Sequence, residues 1–421
     1  MKTIAQISEN HLCCGCGVCS YLDPQQIQMV DDLDQGRRPL MQGPPQMTDA
    51  HRQAVNACPG QSLAHDSAGQ EEVIQELLPN WGPVLEIWQG HATDSQIRFA
   101  GSSGGVATAL AAFAIEQMGF AGALHIAARS DRPIFNETVF STSRDQLLER
   151  TGSRYSPASP CDKLHWIEEA TAPCVFIGKP CDVAATFKAR KVRPKLDQNL
   201  GLTIGIFCAG TPTTRGTLET LKAMGIDDPD SVKSLRYRGN GWPGNFTAEV
   251  QGENGSIETK EISYQDSWGK TLQKHRQWRC YICPDHTGEF ADIAVGDPWH
   301  NPPDGETPGR SLVVVRSQRG KAFLEAAVQA GVVTLERSEP KAIELAQPYL
   351  RDGRKILWPR LMTLRVMGAY APSFTGFNLF RDWMQNTSLL EKLHSIVSTA
   401  KRVISKRLYR GRPVTPTKTE T

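Results

Sequence analysis

The sequence holds no stretch of about 20 apolar residues, the length a helix needs to cross a bilayer. The nearest approach, residues 106–128, is broken by Glu116, Gln117 and Gly119. Net charge is almost absent as well: 47 Lys and Arg face 45 Asp and Glu, leaving +2. That balance supplies no whole-molecule field for nucleic acid, and no nucleic-acid partner is expected. The opening Met1-Lys2-Thr3-Ile4-Ala5-Gln6 lacks the apolar run of a secretion signal, so the expected location is cytoplasmic. No internal repeat is evident. Cysteine, by contrast, is plentiful: eleven residues, an odd number, several in C-x2-C groups. In a chain of 421 residues this favours ligation in a reducing compartment over a disulfide framework.

Cys13, Cys16 and Cys19 recur at every third residue, and a distant Cys58 is followed by Pro59. This is the ligand pattern of a ferredoxin-type [4Fe–4S] cluster. Gly15 and Gly17 are expected to relieve crowding near the inorganic core, and Pro59 to stop a helix at the fourth ligand. Zinc is the rival, but structural zinc takes paired C-x2-C knuckles rather than three cysteines in series. A further C-x2-C, Cys280-Tyr281-Ile282-Cys283, is backed by Pro284. Cys181 at a predicted helix start and Cys208 at a predicted strand end complete a second set of four, suited to a second cluster if one sheet edge gathers them. The plainer alternative buries Cys181 and Cys208 as small hydrophobes. Cys14, Cys161 and Cys174 read as structural.

The loop Gly101-Ser102-Ser103-Gly104-Gly105 opens a predicted helix over 106–118. Free N–H groups and the positive helix end suit a phosphate there. The loop is neither G-x-G-x-x-G nor a Walker loop, whose Lys is missing, and a plain tight turn is the alternative. Gly152-Ser153-Arg154-Tyr155 adds a cation, a hydroxyl and an aromatic face, a set that suits a flavin's pyrophosphate and ring.

Predicted strands near 123–128, 174–177, 202–207, 232–237, 246–250, 291–295 and 312–315 alternate with helices near 144–150, 182–191 and 321–329. This predicts an α/β fold, with α+β character, built on a mixed sheet. Four regions are expected: a small ferredoxin-like iron–sulfur module (1–80), a domain carrying the Gly/Ser loop (81–170), a domain carrying the second cysteine set (171–345), and a basic helical tail (346–421) whose end from Pro413 is disordered. In the tail, residues 389–408 can form an amphipathic helix, and Lys401, Arg402, Lys406, Arg407, Arg410 and Arg412 have no acid among them. Such a helix either packs on the body by its apolar face or touches an anionic membrane surface or acidic partner. The second case makes the protein peripheral to the inner face of the membrane.

Taken in order, these segments carry a family resemblance. They are the cysteine loop, Gly101 to Leu110, Gly178-Lys179-Pro180-Cys181-Asp182, Phe207-Cys208-Ala209-Gly210-Thr211-Pro212, and Arg279 to Asp285 running on to Gly296-Asp297. Together they resemble the beta subunit of coenzyme F420 hydrogenase/dehydrogenase and its relatives, which include chlorophyll-cycle reductases, over about residues 10–340. The resemblance implies an iron–sulfur flavoprotein oxidoreductase with bound FAD, contacted by Ser102, Ser103, Gly104, Gly105 and Tyr155. It also implies metal ligation by Cys181, Cys208, Cys280 and Cys283. Electrons would pass between a ferredoxin-like carrier, the cluster, FAD and a small organic substrate; the alternative is an electron-relay subunit of a larger complex. Arg154, Tyr155, Lys179 and Asp297 are the candidate catalytic groups, by loop position. A homo-oligomer is compatible with the sequence.

Overall fold

The computed structural model describes residues 1–65, 72–252, 255–301 and 308–417. Short runs rich in Val, Ile and Leu, bounded by Gly and Pro, become the buried strands of a mixed sheet. In chain order the strands are β1 (Ile27–Asp32) and β2 (Gly36–Met41), an antiparallel hairpin, then β3 (Ser62–Ala64), β4 (Glu86–Ala92), β5 (Gly122–Ala128), β6 (Asn136–Ser141), β7 (Cys174–Gly178) and β8 (Leu200–Ile206). There follow β9 (Val232–Arg236), β10 (Phe246–Gln251), β11 (Ile257–Ile262), β12 (Ile293–Gly296), β13 (Ser311–Val315), β14 (Val333–Arg337) and β15 (Ser373–Thr375).

Eight of them form the central sheet, in the order β14-β4-β13-β12-β8-β7-β5-β6. The middle four, β12, β8, β7 and β5, run parallel, and antiparallel strands flank them on both sides. Every residue of β13 is buried, as expected for a strand covered on both faces. One face is covered by the helices Val106–Gln117 and Gln318–Gln329, whose Phe113 and Phe323 meet edge to face at 5.5 Å. The other carries Trp81, Ile343 and Leu350. A separate antiparallel sheet, β11-β10-β9, stands beside it, so the predicted hairpin over 232–250 forms and gains a third strand.

The N-terminal cysteine segment does not stand apart. Ile4, Val18 and Val55 share one core with Val183 and Ala184 of the helix Pro180–Arg190 and with Leu361 and Val403 far down the chain. β3 pairs in parallel with β15, and Lys188 Nζ donates to Ser62 O at 2.8 Å. The helix Asp49–Ala57 ends at Cys58, whose extended backbone (φ −70°, ψ 116°) is what a following proline imposes. Gly15 and Gly17 have φ of +75° and +89°, and each also sits close against the protein's own backbone. A Cβ at Gly15 would lie 2.9 Å from Arg37 O, and one at Gly17 would lie 2.9 Å from Asp162 N.

Residues 413–417, expected to be disordered, are bound to the β1–β2 turn. Gln35 Nε2 donates to Pro413 O at 2.9 Å, and Thr415 N and Thr417 N donate to Asp32 Oδ2 and Asp31 O. The rest of that predicted disordered end, 418–421, lies outside the described residues.

A buried charge network joins the C-terminal helices to the body. Arg354 pairs with Glu289 and also donates to the carbonyls of Pro284 (3.1 Å) and Pro79 (3.3 Å), while His65 Nε2 lies 2.7 Å from Glu289 Oε2. Burial alone would raise the Glu289 carboxyl; Arg354 and His65 overcome it and hold the group at about 2. Removing the cation leaves a buried, uncompensated carboxylate, so Arg354→Met should cost about 3–5 kcal/mol in denaturant unfolding. The depressed carboxyl contributes stability that is complete above its unfolded value, about 4.3, and lost as pH falls towards the folded one. Unfolding followed from pH 5 down to about 2 should show that loss, and Glu289→Gln should flatten it.

Candidate functional site

Three adjacent parallel strands end at one cleft of about 320 Å³. β12 delivers Asp297, β8 delivers Phe207 and Cys208, and β7 delivers Lys179. The carboxyl edge of a parallel sheet is where open α/β folds receive ligands. Facing it is the start of the helix Val106–Gln117. Gly105, at φ +73°, is its N-cap; no side chain caps the helix, and Val106, Ala107 and Thr108 of its first turn line the cleft. Ser102 and Ser103 line it too. Gly104 turns inward: its N–H donates to Ser311 Oγ at 2.9 Å, and a Cβ there would meet Gly90 O at 2.7 Å.

The Gly/Ser loop is stitched to the segment Thr151–Tyr155. Ser153 N donates to Ser102 Oγ, Thr108 and Thr151 share a hydroxyl contact at 3.0 Å, and Arg236 Nη1 donates to Ala100 O (3.2 Å) and Thr151 O (3.1 Å). Arg154 is in this wall, but its guanidinium is committed to Asn136 Oδ1, Leu235 O (2.7 Å) and Pro133 O (2.6 Å). That makes it a clamp between loops.

Arg238, which no sequence motif marks, is the hub. Its side chain is buried and forms a two-pronged pair with Asp297 at 2.8 and 2.9 Å. It also donates to Pro243 O at 2.8 Å, to Ser102 O and to the Tyr155 hydroxyl at 3.2 Å. Asp297 accepts a further bond from Trp242 Nε1 at 2.8 Å. Over the guanidinium lie Tyr264 (5.0 Å) and Trp299 (5.3 Å), themselves stacked at 5.6 Å, and Tyr155 lies 4.8 Å from Trp268. The result is an aromatic wall backed by a fixed cation. Burial pushes the Tyr155 and Tyr264 phenols up, so both keep their protons as donors.

Lys179 leads from the cleft to the cysteines. Its ammonium pairs with Asp182 at 2.6 Å. Its charge also acts on Cys13, Cys14, Cys181, Cys208 and Cys280. All eleven cysteines are free thiols. In the first set, Cys13, Cys16, Cys19 and Cys58 are buried, and Cys19 feels the charges of both Cys13 and Cys58. In the second, Thr211 N donates to Cys280 Sγ at 3.3 Å, and Cys208 and Cys283 each feel Cys280. Cys181 sits at the second position of the helix Pro180–Arg190, where its thiol meets that of Cys14. The two sets therefore touch at Cys14, a residue expected from the sequence to be structural. Cys161 and Cys174 hydrogen-bond to Asp182 O (3.4 Å) and Ala172 O (3.5 Å).

Among the described residues, no three Cys, His, Asp or Glu side chains converge as a single metal ion needs. A four-iron cube presents four separate iron corners, so its thiolates approach four points rather than one. The donor chemistry fits that group: sulfurs outside any disulfide, buried in the first set and half-buried in the second. Burial pushes the thiols of Cys58, Cys208 and Cys283 up to about 12, so ligation there must expel protons.

Two family models match the chain, one for each half of the beta subunit of coenzyme F420 hydrogenase/dehydrogenase. The model of its N-terminal part matches residues 87–165, and the model of its C-terminal part matches 173–341. The coenzyme F420 hydrogenase subunit beta of Methanosarcina barkeri is 26% identical over 287 residues, covering 66% of this chain and 89% of that one. The F420-dependent formate dehydrogenase subunit beta of Methanocaldococcus jannaschii is 25% identical, covering 61% and 63%. A chain of the solved F420-reducing [NiFe] hydrogenase complex of Methanosarcina barkeri shares the fold, with a TM-score of 0.50 at 22% identity, covering 68% of this chain and 94% of that one. The first cysteine set and the C-terminal helices fall outside both family models, whose matches contain the second cysteine set and all of the cleft lining except Gln347 and Leu350. On these matches the chain belongs to the coenzyme F420 hydrogenase/dehydrogenase beta subunit family, a family of oxidoreductase subunits.

Proposed function

We propose that this protein is an iron–sulfur flavoprotein that moves electrons between a ferredoxin-like carrier and an organic substrate. The observation that carries the reading is that the uncapped start of the helix Val106–Gln117 and Cys208 line the same cleft. The first joins a phosphate site to an aromatic wall, and the second opens onto the thiols. FAD is the group this cleft suits, with its pyrophosphate at the first turn of that helix and at Ser102 and Ser103. A bound flavin exchanges electrons singly or in pairs, which is the chemistry needed between one-electron clusters and a two-electron substrate. Cys13, Cys16, Cys19 and Cys58 would hold one [4Fe–4S] cluster, and Cys181, Cys208, Cys280 and Cys283 a second.

The protein's own groups then divide the work. Arg238 and Asp297 fix the Gly/Ser loop against Tyr155 and exclude water behind the aromatic wall. The Tyr155 hydroxyl, protonated and held by Arg238, supplies a proton to the reacting end of the substrate. The substrate class we put first is a planar redox heterocycle such as the deazaflavin F420, for which the relatives are named. A relay without a substrate of its own is the second reading, favoured by the naming of those relatives as subunits.

Anaerobically purified protein should release flavin on denaturation and carry about four iron atoms for each filled cysteine set, about eight in all. Colourless protein without flavin overturns the proposal. Cys58→Ser should halve the iron and leave the flavin. Tyr155→Phe should keep the flavin and both iron sets while turnover falls about 100-fold. If reduced F420 is not oxidised but a reduced ferredoxin still bleaches the flavin, the relay reading stands in place of the enzyme. Arg238→Met strands Asp297 and should cost about 3–5 kcal/mol of stability together with flavin retention. Arg238→Lys should rescue neither fully, since lysine lacks the two-pronged geometry.

A further inference from the structure

The helix Leu389–Ser405 is amphipathic, as the sequence predicts, but it packs the other way round. Its buried stripe is Ser395, Thr399 and Val403, spaced four residues apart. The two hydroxyls are satisfied by the helix itself, Ser395 Oγ on Lys392 O at 2.8 Å and Thr399 Oγ1 on Ser395 O at 2.7 Å. These small side chains let it lie against the helix Leu357–Val366. Leu389, Leu393, Ile396, Val397 and Ile404 fall within an arc of about 100° on a different side of the helix, and all are exposed: 72% for Leu389 and 62% for Ile404. Phe380 and Met384 of the preceding helix Leu379–Asn386 are exposed as well.

A strongly cationic end completes this face. Lys401, Lys406, Arg407 and Arg410 are exposed, and among the described residues no carboxylate pairs with any of them. From residue 392 to 412 the sequence contains no acid. The cations are also held in place. Leu408 is buried, Arg410 O meets His11 Nε2 at 3.1 Å, and Arg412 N donates to Glu9 O at 2.9 Å.

We propose that this face is a docking surface for an anionic lipid membrane, with the helix lying in the plane of the headgroups. An apolar stripe rimmed by cations is the composition that binds there, the stripe entering the acyl boundary while the cations meet lipid phosphates. Among the described residues no helix is long and apolar enough to cross the bilayer, so the contact is superficial. A second copy of the chain fits less well. The one acid of the helix, Glu391, is already committed to its own cap at Ser388 and to Lys355 at 3.1 Å, leaving no carboxylate to receive the partner's cations. The surface is independent of the cleft and of the family match, which ends at residue 341. Its inner side reaches the second cysteine set: Arg360 donates to Tyr281 O at 2.7 Å, and Arg402 lies over the Tyr281 ring at 5.5 Å. The membrane would thus lie behind the Cys280–Cys283 loop.

Truncating the tail is a poor test, because it removes buried Val403 and Leu408 from the core. Point changes on the exposed side are cleaner. Full-length protein should float with vesicles of phosphatidylcholine and phosphatidylglycerol at least about tenfold better than with phosphatidylcholine alone, and less well as salt rises. The double variant Leu393→Asp and Val397→Asp, and separately Lys406→Glu with Arg410→Glu, should each weaken that binding about tenfold or more. Both variants should keep the melting temperature of the parent. Failure to bind anionic vesicles, equal binding to neutral ones, or binding unchanged in the variants would overturn the proposal. So would a wild-type dimer that the Leu393→Asp and Val397→Asp variant makes monomeric, which assigns the face to a second copy. A stoichiometric complex with added ferredoxin, lost in the same variant and without vesicle binding, assigns it to an acidic protein.

Discussion

Burying a guanidinium is costly, and whereas the buried Arg354 keeps an unpaired Nε, the cleft is organised around satisfying every nitrogen of Arg238. The residue leaves β9 at the edge of the small sheet, yet its partners come from the Gly/Ser loop, the β12 end, the 151–155 segment and the turn at Pro243. Of these segments only the β12 end is held in place by regular strand pairing. The charge supplies what a sheet would otherwise supply, fixing irregular backbone beside the uncapped start of the helix Val106–Gln117. The same logic applies to Lys179 and Asp182, whose pairing at 2.6 Å places a compensated cation at the start of the helix that carries Cys181.

Between the cleft and the N-terminal thiols the chain runs through sulfur rather than through a linker. Cys208 lines the cleft, Cys280 is its electrostatic neighbour, and Cys14 touches both Cys16 and Cys181. The placement depends on the shared core that holds the first 60 residues against the helix Pro180–Arg190. A ferredoxin-like module on a flexible tether would have to search for its docking site. Here the distance between the two cysteine sets is set by packing.

Much of this is legible in the sequence, for physical reasons that differ by element. The buried central strands carry β-branched runs with Gly or Pro near their ends, so β7, β8 and β13 announce themselves. β4 reads Glu-Ile-Trp-Gln-Gly-His-Ala, with no regular alternation of polar and apolar residues, and owes its place in the sheet to pairing with β13 and β14 rather than to its own pattern. Ser102 and Ser103 stand out because a glycine-serine loop before a helix has a chemistry of its own. Gly104 belongs to the same run but is turned away, since one residue of a tight loop must face the protein it folds against. Arg238 is invisible in the sequence because a buried arginine has no local signature: its partners span residues 102 to 297. Cys14 has a signal that is easily missed, its adjacency to Cys13. In non-helical backbone, neighbouring side chains diverge, so a pair of consecutive cysteines can serve two places at once. The tail's periodicity predicts its helix but not that helix's orientation, because periodicity finds two faces and says nothing about which one meets the body.

The strap formed by residues 408–417 has a consequence for how the molecule is made. It closes over the β1–β2 turn, and Leu361, Val403 and Leu408 belong to the same core as Ile4 and Val18. The core that contains Cys16, Cys19 and Cys58 is therefore completed by side chains from far along the sequence, and it cannot be fully packed until that distant segment has joined it.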